Sequence, residues 1–237
     1  TGSTVATTTI FLSAATLFEP GDDGSKYYRI PALITAADSS LVAVCDRRNN
    51  NNADLPGDID VVVRRSTDNG KTWSQQLKIA GEGTTTGYGD PAILLDNFSG
   101  KIHCFFAANQ GLWASTPTDP IRIYQSVSAD NGITWSTPRD ITDMIYGANA
   151  PIAATKTWKA AFIGSGHALQ LRDGRMMFSM AVRETEAQSL NNYIAYSDDF
   201  GETWTTSTSK ACNGGDESKL VELSDGRVMI SVRHAPN

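Results

Sequence analysis

The chain has 237 residues, 40% hydrophobic and 19% charged, with a formal net charge of −6. That suffices for one large domain or two small ones and is too apolar for a disordered chain. No apolar run approaches the roughly 18 residues of a membrane span, and no Lys/Arg-rich run marks a nucleic-acid surface.

Taken in order, residues 1–25 are expected to form a lead-in strand and loop. Within them Ile10 to Phe18 (IFLSAATLF) is short and lacks a basic leader, so it is not expected to be an intact signal peptide. Strand-like runs follow: LVAVC from Leu41, IDVVVRRS from Ile59, AILLD from Ala92, KIHCFFAA from Lys101, RIYQSVS from Arg122 and YIAYS from Tyr193. Helical periodicity is weak throughout, with at most one turn over Asp140 to Tyr146. Cys45, Cys104 and Cys212 form an odd set at no metal-ligand spacing, and Cys45 and Cys104 read as small buried hydrophobes. His103, His167 and His234 are scattered and read as structural. The sequon Asn97-Phe98-Ser99 is a short match expected often by chance.

Repeats organise the whole. Ser-x-Asp-x-Gly-x-Thr-Trp occurs at Ser66 to Trp73, Ser128 to Trp135 and Ser197 to Trp204. In such a turn the Asp carboxylate accepts backbone N–H bonds, Gly supplies positive φ, and Trp packs on neighbouring strands. A second repeat, LRDGRMMFS at Leu171 and LSDGRVMIS at Leu223, reads as strand, Asp-Gly turn and strand. The octapeptides start 62 and 69 residues apart. One antiparallel sheet per period is a propeller blade, and propellers close with about four to eight blades. The expectation is an all-β chain holding about the first three to four blades of a β-propeller, with 1–237 an incomplete catalytic domain. An open sheet edge would make such a piece prone to association.

These octapeptides resemble the Asp-boxes of the sialidase superfamily, and Tyr28-Arg29-Ile30-Pro31-Ala32 is similar to that family's Phe/Tyr-Arg-Ile-Pro motif. The resemblance runs from about Lys26 to Arg233, looks closest to bacterial secreted sialidases, and implies a six-bladed propeller. It also implies a secreted, periplasmic or cell-surface exo-α-sialidase acting on sialylated glycans with retention.

The residues fit that chemistry. A sialoside carries a carboxylate on its anomeric carbon, and planar guanidinium groups capture carboxylates best; twelve of the twenty basic residues are Arg. Arg29 and Arg233 match two of the family's three carboxylate-binding arginines. Asp54, in the loop NNNNADLPGD, resembles the acid/base that protonates the leaving oxygen, with Asp58 the alternative. Glu217 resembles the base that activates a tyrosine nucleophile, with Asp216 and Glu222 beside it. Arg48 resembles a residue contacting the sugar's C4 hydroxyl, a role open also to Arg47, and Asp90 resembles one near the N-acetyl group. Trp113 is a candidate for the aglycone side. The third arginine and the tyrosine are expected beyond Asn237, in the same polypeptide or in a second chain. No HExxH, His/Cys cluster or phosphate loop calls for a metal or organic cofactor. The competing functions are a trans-sialidase and a non-catalytic, sialic-acid-binding propeller.

Overall fold

The computed structural model describes residues 15–81, 83 and 87–234. The expected lead-in strand falls mostly on residues 1–14, outside that set; residues 15–25 contain only a 3-10 turn, Asp22–Gly24.

The first blade is an antiparallel sheet of β1 (Tyr27–Thr35), β2 (Leu41–Arg48), β3 (Ile59–Ser66) and β4 (Leu77–Ala80), paired in chain order. The second is β5 (Tyr88–Leu95), β6 (Ile102–Asn109), β7 (Ile121–Ser128) and β8 (Arg139–Asp140). A helical turn follows at α1 (Thr142–Ile145), inside the expected segment.

The third blade begins with an inner strand broken into β9 (Ala160–Ile163), β10 (Gly166–His167) and β11 (Leu169–Gln170). It continues through β12 (Met176–Arg183), β13 (Asn191–Ser197), β14 (Thr205–Thr206) and β15 (Cys212–Asn213). Short β10 pairs in parallel with β5, tying blade three to blade two. A fourth sheet is represented by the hairpin β16 (Gly215–Glu222) and β17 (Val228–His234). Leu223 to Arg227 closes that hairpin as Leu171 to Arg175 closes β11–β12: in each the Leu N–H donates to the Arg carbonyl.

The three octapeptides fold alike, because their hydrogen bonds are all local. In the first, Thr72 N–H and Oγ1 donate to the Asp68 carboxylate (2.8 and 2.6 Å), Gly70 N–H donates to Ser66 Oγ (2.9 Å), and Trp73 Nε1 donates to Gly70 O (3.2 Å). The same set recurs around Asp130 and Asp199. These bonds hold the Asp68 carboxyl down at about 2, led by the one from Thr72.

Two apolar clusters fill the spaces between blades. Val42, Val44, Val61, Ile93, Ile102 and Phe106 lie between blades one and two. Phe105, Ile123, Phe178, Met180 and Trp204 lie between two and three, with Trp204 4% exposed. Cys45 and Cys104 are buried in these sheets. Val221, Val228 and Met229 of the fourth sheet are exposed (43%, 37% and 50%). No helix among the described residues is long and apolar enough to cross a membrane.

Candidate active site

Three inner strands carry the same defect at the same end. The ladder of β1 slips by one residue between Arg29 and Ala32, that of β5 between Gly89 and Ala92, and that of β16 between Gly215 and Ser218. A bulge re-aims side chains, and bulges gather at functional sites. Here they fall at Arg29, Asp90 and Glu217. Ile30 and Asp90 adopt φ of 55° and 58°, and each precedes a proline, which has no N–H to leave unpaired in the interrupted ladder. A β-branched Ile at positive φ is strained, and such strain clusters at active sites.

The bulges open onto a cavity of about 300 Å³ lined by Arg29, Asp54, Asp90, Asp216, Glu217 and Arg233 on its charged side. Leu55, Leu112, Trp113, Phe162 and Leu190 form its apolar side. The Arg29 guanidinium lies 3.4 Å from the Asp54 carboxylate, and Arg233 donates to Glu217 at 2.8 Å. Arg29, Asp54 and Arg233 are well exposed (43%, 77% and 68%), so their charges face incoming solute. Among the described residues no tyrosine lines the cavity.

Asp54 sits at the tip of a loop whose base is locked. Asn49 and Asn50 amides donate to Asp58 (3.0 and 2.9 Å), and Arg47 donates to Asp60. Asp58, Asp60 and Arg47 are engaged with one another's segments and do not line the cavity. Gly111 meets the Leu55 carbonyl where a Cβ would stand 2.4 Å from it, so the loop rests on bare backbone of blade two.

Arg48 also lies off the cavity. Its side chain is 1% exposed and donates to Asn52 O (2.8 Å), Asp54 Oδ1 (2.7 Å) and Asp46 Oδ2 (3.1 Å). It therefore holds the Asp54 loop from beneath. Asp46, singled out by no motif, is fully buried; its other oxygen accepts the Asp90 N–H at the bulge (2.9 Å). Burial, then the nearby Asp90 charge, pushes the Asp46 carboxyl well above the usual carboxylate range. Burial likewise lifts Asp90 to about 6, with Asp54 and Glu217 adding repulsion and Arg48 and Arg29 opposing it. Desolvation also raises Asp216, against the pull of Arg233.

Two exposed guanidinium groups, a solvent-facing carboxyl and a carboxylate beside the second arginine thus gather at one cavity at one end of the blades. The chain belongs to the sialidase superfamily: residues 30–235 match the BNR repeat-like domain. It is 37% identical over 227 residues to a sialidase of Micromonospora viridifaciens, covering 90% of this chain and 34% of that one. It is 32% identical over 232 residues to a sialidase of Paraclostridium sordellii, covering 92% and 56%. The solved structure of the Hadza microbial sialidase Hz136 superposes with a TM-score of 0.81 at 31% identity, over 91% of this chain and 43% of that one. The chain thus spans about a third to somewhat over half of the curated relatives it matches.

Proposed function

We propose that this chain carries the sialoside-binding and proton-donating part of an exo-α-sialidase that releases terminal sialic acids with retention. What supports it is convergence: Arg29, Asp54, Glu217 and Arg233, up to 204 residues apart in sequence, meet at one cavity.

In this reading Arg29 and Arg233 clamp the substrate carboxylate by charge-assisted hydrogen bonds. Asp54 serves as the general acid toward the glycosidic oxygen as the bond to the anomeric carbon breaks. A tyrosine oxygen attacks that carbon as its proton passes to Glu217, and a carboxylate in its place would be repelled by the substrate's own. Water, deprotonated by Asp54, then cleaves the glycosyl–tyrosine bond and restores configuration. In this reading a tyrosine and a third arginine are supplied by further blades, which would also cover the exposed apolar side chains Val228 and Met229 of β17. Glycoconjugate substrates suit an enzyme that is secreted, periplasmic or on the cell surface.

The test is calorimetric titration with N-acetylneuraminic acid, alongside the intact mass of the denatured protein. Binding to the native protein and its loss in Arg29→Ala and Arg233→Ala support the clamp. Unchanged binding in both variants refutes it. A second polypeptide in the mass spectrum would identify the source of the missing blades.

A further inference from the structure

The three octapeptide turns place Asn69, Asn131 and Phe200 at the same position, each with φ between 57° and 60°. Asn tolerates the left-handed region, whereas a bulky aromatic there is an outlier. Burial does not compensate Phe200, which is 48% exposed. Its ring lies 5.8 Å from that of Phe98, itself 62% exposed, on the β5–β6 turn. The turn chemistry does not demand a phenyl group here, since the other two boxes make the same hydrogen bonds with Asn.

The two rings, tilted against each other by 59°, together line one part of a groove of about 610 Å³ between blades two and three. Strand β5 runs from Asp90 at the charged cavity to this end, so the two sites are separated by most of an eight-residue strand, about 20 Å. On the groove's wall Lys101 makes no ion pair among the described residues, and Glu202 reaches Arg139 only at 3.9 Å. At its floor His103 is 3% exposed. Arg139 and Trp204 occupy the Gln125 carbonyl, so the Gln125 amide donates to His103 Nδ1 (2.8 Å) and Nε2 carries the imidazole proton. That buried N–H has no hydrogen-bond partner among the described residues.

A peptide strand would need free backbone groups, but Gly201 at the groove spends its N–H on Ser197 and its carbonyl on Arg139 and Trp204. What stays open is the exposed ring surface of Phe98 and Phe200 beside side-chain hydrogen-bonding groups. That combination suits a ring with an apolar C–H face and a hydroxylated edge. We propose that this groove is a second carbohydrate site, taking a neutral pyranose of a glycan on Phe98 and Phe200 with its hydroxyls toward Lys101 and Glu202. It goes beyond the reading of the charged cavity and stands or falls separately from it.

Saturation-transfer NMR of the full chain with lactose, a neutral disaccharide lacking a carboxylate, tests it. Transfer to lactose is expected in the native protein, with Kd weakened about tenfold or more in Phe98→Ala and in Phe200→Asn. The second variant restores the residue of the other two boxes, so the turn keeps its hydrogen bonds; far-UV circular dichroism checks that both variants fold. Excess N-acetylneuraminic acid should leave the lactose signal in place. Absence of transfer to the native protein, persistence in both variants, or displacement by N-acetylneuraminic acid would each overturn the proposal.

Discussion

Replacing Asp90 by Asn probes the electrostatics at the base of the charged cavity. In the folded chain this carboxyl is lifted from 3.8 to about 6, chiefly by burial and secondarily by Asp54 and Glu217. A raised acid takes up a proton on folding wherever the pH lies between the two values, and stability therefore falls as pH rises through that window. Below pH 3.8 the group is neutral in both states and contributes nothing. Above about 6 it is ionised in both, and the folded state bears the full cost, ~3 kcal/mol at ~1.4 kcal/mol per pH unit. Asn is neutral throughout, so Asp90→Asn should be more stable than the native protein by ~2–3 kcal/mol at pH 7.5. The gap should shrink steadily to nothing near pH 4. Urea melts of both proteins at pH 4, 5.5 and 7.5 measure it. A gap independent of pH, or a variant less stable at pH 7.5, would refute the desolvation account of Asp90.

Three further outcomes follow from the geometry. In the complete enzyme Asp54→Asn should slow cleavage of sialyllactose far more than that of an activated aryl sialoside, whose leaving group needs little protonation; equal losses remove Asp54 from the acid role. Arg48→Met strands the buried Asp46 charge and should cost ~3–5 kcal/mol by urea melts at pH 7.5. Losing the Arg48 charge pushes the Asp46 carboxyl up further, so its protonation at lower pH should relieve part of that loss at pH 5; an identical loss at both pH values contradicts the buried pairing. Trp204→Ala opens a cavity beside Phe105 and Phe178 and should cost ~3–5 kcal/mol, whereas the half-buried Trp73 of the first box should cost clearly less when truncated. Equal thermal shifts for the two would mean that the boxes contribute alike regardless of their packing.

Much of this molecule was legible in the residues alone. The octapeptide turns close through bonds between residues two to four apart, such as Thr72 to Asp68 and Gly70 to Ser66, so the sequence by itself determined them. The strand runs, with their β-branched and aromatic residues between turn signals, likewise marked β2, β3, β6 and β7. Arg29, Asp54, Asp90, Glu217 and Arg233 were reached through motif resemblance, which carries no geometry. That they share one cavity depends on blade packing, with separations of 25 residues between Arg29 and Asp54 and far more between Arg29 and Arg233. Only the tertiary structure decided that Arg48 turns inward to hold the Asp54 loop, because adjacent side chains on a strand face opposite sides and Arg47 took the other one. The same holds for Asp46, whose type and position carry no signal until burial and the Asp90 N–H give it a role. The pairing of Phe98 with Phe200 is likewise invisible along the chain, since contacts between blades depend on how whole sheets stack and local residue pattern does not encode that distance.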